Sequence, residues 1–292
     1  MNCQTGILGA VPKHARYLMF TFEGHLEDVD EALSTLAEVV DGENTVVGIG
    51  ASLVAAKDKQ IPGMRAFPAM TGPGFDIPST QHALWFWLRG EDRGELHHHS
   101  RELELTLSMD FQLYDVLDAF MYLDSRDLTG YIDGTENPQG DEAVAAAIVK
   151  GQGEGLDGSS FVAVQQWQHD FGYFDNMTEA EQDNAIGRRH SDNEELDDAP
   201  ISAHVKRTAQ ESFNPEAFIV RRSMPWVEAN ESGLNFVAFG KSFDAFEAQL
   251  KRMAGHEDGV ADAIFAFTRP LTGGYYWCPP MKDGRLDLSA LS

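Results

Sequence analysis

The sequence has very little cysteine and far fewer basic than acidic residues. Only Cys3 and Cys278 occur among its 292 residues, which excludes a disulfide framework and a cysteine-rich zinc site. Its 22 basic and 47 acidic side chains give a formal net charge of -25. Such a surface repels the phosphates of nucleic acid and of anionic lipid, so we expect neither nucleic acid nor a membrane as a partner.

Long apolar runs and targeting signals are also missing. The apolar run at residues 83–88 is too short to span a bilayer. The first residues contain no basic stretch followed by an apolar segment, so we see no secretion signal and expect a soluble, cytoplasmic protein. The sequence contains no GxSxG motif, no HExxH motif and no Walker loop, which gives serine hydrolases, zinc proteases and P-loop enzymes no support.

The sequence does contain enough apolar residues, 42%, to form a packed core. A glycine-rich acidic segment at residues 151–158 separates residues 1–150 from residues 151–292. Residues 17–40 and 234–253 share an order of apolar strand, short turn and acidic amphipathic helix. This repeat predicts two related α+β halves, each with helices on one face of an antiparallel sheet.

Hydrophobic periodicity and turn residues predict further elements in both halves. Strands are expected at residues 45–49, 83–88, 161–167 and 217–222, helices at 95–108 and 178–186, and a loop at 188–198. The apolar run at residues 263–267 closes the second repeat. Residues 111–122 are apolar but mixed and favour no element.

The segment GYIDGTENP, residues 130–138, predicts a tight loop around Asp133. Glycines at 130 and 134 allow the backbone to approach another group closely. Asp133 is therefore a candidate for chemistry on a constrained turn. The alternative is an Asx turn, in which the Asp133 side chain bonds only its own backbone.

The segment ISAHVKR, residues 201–207, contains a histidine in a small, partly apolar stretch. His204 is a candidate haem ligand, since histidine is a common proximal ligand of haem iron. Lys206 or Arg207 is suited to an anionic group such as a propionate. The alternative is that His204 is only packed and hydrogen-bonded in the core.

Two arginines, Arg221 and Arg222, follow an apolar strand. Alternation along a strand sends them to opposite faces, so we expect one in a pocket and the other in water. The alternative is that both are solvated at the strand end. The His97–His99 tract lies among charged residues and is interpreted as a solvated helix face.

Together these segments resemble the dye-decolourising peroxidase family, in its short bacterial branch. The GxxDG motif of that family matches Gly130, Asp133 and Gly134, and ISAHVKR resembles its segment around the proximal histidine. The RRSMPW segment, residues 221–226, resembles its distal-arginine segment, with Arg221 as the matched arginine. IGR at residues 186–188 and LTGGYY at 271–276 also resemble family segments. The likeness covers nearly the whole chain, and one departure is Ser223, where many relatives have asparagine.

This resemblance implies two ferredoxin-like halves with b-type haem in the C-terminal half and the GxxDG loop over its distal face. It implies that His204 binds the iron and that Asp262 lies behind His204 and accepts a hydrogen bond from it. Asp133 and Arg221 are then the catalytic pair. The other residues expected at the cofactor are Gly134, Thr135, Arg207 and Ser223.

The resemblance also implies an activity: reduction of hydrogen peroxide with one-electron oxidation of small organic donors such as dyes and phenols. Asp133 would move a proton and Arg221 would stabilise the developing charge. A homo-oligomer is expected, because the family often forms one. A haem-binding or haem-handling protein is the alternative, and it needs His204 but not the Asp133–Arg221 pair. Two further alternatives are a related haem enzyme and a non-haem interaction module.

Overall fold

The computed structural model describes residues 2–292. Within that range, eight α-helices lie at Val29–Val39 (α1), Ala51–Ala56 (α2), Arg93–Leu107 (α3), Gly140–Ala147 (α4), Phe171–Phe174 (α5), Glu179–Ile186 (α6), His204–Arg207 (α7) and Asp244–Met253 (α8). The β-strands in the same range are His14–Phe22 (β1), Thr45–Gly50 (β2), Met70–Gly72 (β3), Phe75–Ile77 (β4), Leu84–Gly90 (β5), Phe111–Phe120 (β6), Ser160–His169 (β7), Val220–Arg221 (β8), Met224–Glu228 (β9), Glu231–Gly240 (β10), Thr268–Pro270 (β11), Gly274–Cys278 (β12), Met281–Lys282 (β13) and Arg285–Leu286 (β14).

Ten of these strands form one antiparallel sheet, in the order β11-β7-β12-β2-β5-β1-β6-β9-β10-β8. An additional pairing between β7 and β10 closes eight of them into a barrel. Pairings of β12 with β2 and of β6 with β9 join strands from either side of residues 151–158. The sheets of the two predicted halves are thus continuous with each other, because pairing their outer strands satisfies edges that would otherwise be exposed.

Each half of the chain nevertheless repeats one plan. The first four long strands are arranged β2-β5-β1-β6, with α1 following β1 and α3 following β5. Four strands of the second half are arranged β9-β10-β7-β12, with α8 following β10. In both halves the spatial order is second, third, first and fourth along the chain. The mixed α and β architecture predicted from the repeat is therefore present.

The barrel interior is filled with aromatic side chains. Tyr17 stacks on Trp85 and Trp87, with ring centroids 6.0 and 6.5 Å apart. Five other large aromatic residues are also buried: Trp167, Trp226, Tyr275, Tyr276 and Trp277. Their burial supports core packing as their role.

Most elements lie where the periodicity predicts them. Helix α6 begins with the expected capping box, in which Thr178 and Glu181 bond each other's backbone amides. Residues 111–122 contain strand β6. Residues 263–266 form a 3-10 helix instead of closing the repeat as a strand, because the Asp262 carboxylate caps the amide of Ile264. Among residues 2–292, no helix has both the length and the apolarity needed to cross a membrane.

Arg222 differs from its expected position in water. It is buried, and its guanidinium donates hydrogen bonds to the carbonyls of Ile7 and Leu8 at 3.1 Å and to that of Arg221 at 2.9 Å. Burial, and then the nearby charge of Arg89, lower the pKa of Arg222 to about 10, so its side chain is still charged at neutral pH. Arg222 therefore fastens the N-terminal segment to the strand that carries Arg221.

Candidate active site

The GxxDG segment folds as a short hairpin. Arg126 and Ile132 form an antiparallel bridge, and the Asp133 amide donates to the carbonyl of Ser125 at 3.1 Å. Gly130 has a φ of 91°, and a Cβ there would lie 2.4 Å from Nε2 of His190. The positive φ therefore favours glycine at position 130, and a larger residue would also displace the ring of His190. The hairpin bonds, and not an Asx turn of Asp133, fix the backbone of this residue.

The hairpin places Asp133 beside Arg221. Oδ1 of Asp133 is 3.2 Å from Nη1 of Arg221, and the two side chains are 21% and 20% exposed. Arg221 belongs to β8, where it pairs with Ala238 of β10. The structure thus brings together a carboxylate that can take up or release a proton and a guanidinium that stays charged.

Asn137 ties this loop to the strand of Arg221. Its Nδ2 donates to the Arg221 carbonyl at 2.9 Å, and its Oδ1 accepts from the Arg221 amide at 2.9 Å. One side-chain amide therefore pairs with both backbone groups of Arg221, as a neighbouring strand would. The sequence shows Asn137 only as the end of a loop, because the pairing spans 84 residues.

Replacing Asn137 with alanine is expected to lower the free energy of unfolding by about 2 kcal/mol, since two hydrogen bonds of about 1 kcal/mol each are lost. Asn137→Asp is the matched comparison: it keeps an acceptor for the Arg221 amide but places a second oxygen against the Arg221 carbonyl, so it should not recover the stability of the wild type. Denaturant unfolding of the three proteins measures the difference. An alanine variant as stable as the wild type would contradict this role.

A second pair consists of His204 and Asp262. His204 is the first residue of α7, and its Nδ1 is 2.7 Å from Oδ2 of Asp262. The Asp262 side chain is fully buried, whereas that of His204 is 26% exposed. The other carboxylate oxygen accepts from the Ile264 amide at 3.0 Å. Since the carboxylate accepts from Nδ1–H, the lone pair of Nε2 is directed away from Asp262, as a metal ligand requires.

Arg207 does not take the position expected of a propionate partner. Its two terminal nitrogens donate to the Asp258 carboxylate at 2.7 Å, and one also donates to the Arg252 carbonyl. The side chain is 3% exposed. The hydrogen bonds from Arg207 lower the pKa of Asp258 to about 2, so this ion pair persists across the neutral range. Arg207 therefore ties the end of α7 to Asp258, and its buried guanidinium is not free to contact a cofactor.

The remaining predicted residues lie near these two pairs or on the same loop. Gly134 has a φ of 80°, which again favours glycine. Thr135 is exposed, and its hydroxyl accepts from Nδ2 of Asn193 at 3.0 Å. Ser223 is half-buried, with its Oγ 3.4 Å from the Val237 amide. Lys206 donates to Glu195 at 2.8 Å.

Gln210 connects the His204 helix to the Asp133 loop. Its Nε2 donates to the carbonyl of Glu136 at 2.9 Å, and its Oε1 accepts from the amide of Ile219 at 2.9 Å. The segment from His204 to Arg221 therefore contacts the loop of Asp133 through Gln210. This contact, like that of Asn137, has no sequence signal.

A cavity of about 1400 Å³ lies on the far side of this loop. It is lined by residues 135–138, residues 212–218 and one face of α8, and its lining includes neither Asp133, Arg221 nor His204. The size of a cavity therefore does not identify the candidate site, which is defined here by the two side-chain pairs.

Comparison with known proteins identifies the family of this chain. The model of the family described as "Dyp-type peroxidase, C-terminal" matches residues 124–283. A dye-decolorizing peroxidase of Mycobacterium tuberculosis is 30% identical over 247 residues, which are 81% of this chain and 73% of that protein. The residues that the family model matches, 124–283, include the Asp133 loop and both side-chain pairs.

Solved structures show the same architecture. A dyp-type peroxidase protein from Shewanella oneidensis aligns with a TM-score of 0.86 at 29% identity, over 98% of this chain and 96% of that one. A variant of DypB from Rhodococcus jostii RHA1 in complex with haem aligns with a TM-score of 0.84 at 26% identity, over 94% of each chain.

Proposed function

Since this chain belongs to the dye-decolourising peroxidase family, we propose that Asp133 and Arg221 act on peroxide and that His204 holds the iron. The chain is a haem-dependent peroxidase that reduces hydrogen peroxide and oxidises organic donors such as dyes. The observation that carries the residue assignment is the 3.2 Å pair of Asp133 and Arg221, two half-buried side chains from distant parts of the sequence.

The chemistry of His204 fits the iron of haem. A carboxylate on Nδ1 fixes the ring orientation and makes Nε2 a stronger electron donor. Because Asp262 is fully buried and also bonded to the Ile264 amide, it cannot turn away from His204. Gly134 and Ser223, next to Asp133 and Arg221 along the chain, are assigned to the cofactor's surroundings together with Thr135.

When bound, haem supplies the redox centre at which the O–O bond of peroxide is cleaved. The residues of this chain then have two tasks. With haem bound, the Asp133 carboxylate would accept a proton from one oxygen of hydrogen peroxide and return it to the other. The Arg221 guanidinium stabilises the negative charge that grows on the outer oxygen. Asn137 holds the backbone of Arg221, so both groups act from fixed positions.

We assign haem to the C-terminal half and regard the two halves, residues 1–150 and 151–292, as ferredoxin-like units. The common strand order of both halves supports this division. His204, Arg221 and Asp262 all belong to the second half, and the first half contributes Asp133 through its loop. The residue that binds the iron and the residue that moves the proton therefore come from different halves.

The experiment that tests this function is steady-state oxidation of a dye or phenol by the purified holoenzyme, with and without hydrogen peroxide. A peroxidase oxidises the donor only when peroxide is present, at a rate proportional to enzyme. A haem carrier would give the visible spectrum of bound haem without sustained turnover. The Asp133–Arg221 pair favours a peroxidase over a haem carrier, because binding haem without turnover does not require a proton-transfer group beside a fixed positive charge.

Replacing Asp262 with alanine is expected to weaken haem binding or peroxidase activity by roughly 10- to 100-fold, a typical cost of losing the partner of a metal-bound histidine. Asp262→Asn is the matched control: with its oxygen turned toward His204 it can still accept from Nδ1, but it carries no charge and loses the bond from the Ile264 amide. Its loss should be smaller. Haem titration and steady-state assays measure both. Equal losses in the two variants would show that a neutral acceptor cannot replace the carboxylate, whereas an Asp262→Ala variant with wild-type haem affinity and activity would contradict the role of Asp262.

A further inference from the structure

A buried ion pair lies outside the residues assigned so far. His169 is the last residue of β7, and its Nε2 is 2.9 Å from Oδ1 of Asp127. The two side chains are only 6% and 14% exposed. Burying an ionisable pair is costly unless every polar atom has a partner. Because the His169–Asp127 pair joins β7 of the second half to the loop of the first half, it can affect the position of that loop.

The hydrogen bonds around His169 place a proton on Nε2. The Asp127 carboxylate can only accept, so Nε2 donates to it. Nδ1 lies 2.8 Å from the Thr268 hydroxyl, which is also 3.0 Å from the Gln168 carbonyl. Burial by itself would raise the pKa of Asp127, but the hydrogen bond and charge of His169 and the bonds from Thr129 lower it.

Asp127 in turn organises the hairpin that carries Asp133. Its Oδ2 accepts from the amide of Thr129 at 2.9 Å and from the hydroxyl of that residue at 2.5 Å. Its backbone donates to the carbonyl of Tyr131 and accepts from the amide of Gly130, both at 2.9 Å. The turn at residues 127–131 is thus built around Asp127, and Asp133 follows two residues after it.

We propose that His169 and Asp127 are positioning residues of the peroxide reaction: their hydrogen-bonded pair fastens the hairpin to β7 and holds the Asp133 carboxylate against Arg221. The proposal rests on the proposed role of Asp133. Neither residue touches the reacting atoms. Both act through the backbone of residues 127–133, whose bond to Ser125 fixes Asp133.

Among residues 2–292, no other charged side chain pairs with His169 or Asp127. The carboxylate of Asp170, next to His169, accepts from the amide of Tyr173. Arg269, next to Thr268, is exposed. The ring of Phe171 contacts His169 edge-on at 5.7 Å and carries no charge. The pair therefore links the hairpin to β7, while the Tyr131 hydroxyl donates separately to Asp183 of α6, so removing the pair should loosen the hairpin at its β7 side.

The test compares His169→Ala and His169→Gln holoenzymes with the wild type in the reaction with hydrogen peroxide, each in the native and the Asp133→Asn background. Glutamine keeps a neutral donor for Asp127. A displacement of about 1 Å costs roughly 100-fold in rate, so we expect a 10- to 100-fold loss for alanine and a smaller one for glutamine. In the Asp133→Asn background, either change should alter the rate less than twofold.

Amide hydrogen exchange of the same holoenzymes gives a readout independent of activity. Exchange at residues 125–133 should be faster in His169→Ala than in the wild type, with glutamine intermediate. Unchanged exchange, or an equal loss of rate in both backgrounds, would overturn the positioning role. Asp133→Asn reacting at the wild-type rate would overturn the proposed function as well. A slow Asp133→Asn with a fully active His169→Ala would overturn this inference alone.

Discussion

Replacing His204 with alanine is expected to abolish haem retention, or to weaken it greatly, while leaving the fold intact. Nε2 is the iron ligand in this account, and Asp262 orients it through Nδ1 at 2.7 Å. Removing the imidazole leaves the iron without its protein ligand. The measurement is the ratio of haem absorbance to protein absorbance after purification. Added imidazole should restore part of the haem binding, because it supplies the missing ligand.

His190→Ala is the matched control for this prediction. Its ring lies edge-on to Tyr131 at 5.1 Å, and its backbone amide donates to Asp183. The variant should therefore keep haem. Circular dichroism of His204→Ala checks that the fold survives. A His204→Ala protein with the wild-type ferric spectrum in the absence of imidazole would remove this residue as the ligand, and His190 would be the next histidine to test.

Asp133→Asn and Arg221→Leu should each slow the reaction with peroxide by on the order of 100- to 1000-fold, the usual cost of losing a proton-transfer group or a group that stabilises developing charge. Both variants should bind haem normally, because His204 and Asp262 are unchanged. Stopped-flow mixing of each ferric protein with peroxide, followed at the Soret band, measures the rates.

Asp124→Asn is a suitable control for the distal variants. Its carboxylate lies on the same segment, is 62% exposed and pairs only with Arg126. Exposed ion pairs contribute little, so this change should leave the rate unaltered. A carboxylate base also predicts activity at a pH below ~6.5, where a histidine base with an ordinary pKa would be protonated. An activity that disappears near that pH would point to a histidine instead.

The sequence indicates the proposed site residues more completely than the contacts that hold them. Asp133, Arg221 and His204 each lie in a short segment whose residue types indicate chemistry. Asn137 and Gln210 were missed, because their partners are 84 and 74 residues away and a lone amide has no periodic pattern. His169 gave no signal either, since one histidine at a strand end is usually structural.

The errors in the sequence interpretation have two physical causes. Arg222 and Arg207 were expected in solvent or at a cofactor, but backbone carbonyls and Asp258 satisfy them inside the protein. Charge alone therefore did not predict burial. The repeated strand–helix pattern predicted two halves, yet the pairings of β12 with β2 and of β6 with β9 are long-range and have no local pattern.

The most direct test of the central claim is a single-turnover experiment on the double variant Asp133→Asn/Arg221→Leu. The variant, loaded with haem through His204, is mixed with hydrogen peroxide and the rate of change of the Soret band is compared with that of the wild type. We predict a normal ferric spectrum before mixing and a rate at least 100-fold lower after it. A double variant that reacts at the wild-type rate would contradict the assignment of the peroxide chemistry to this pair.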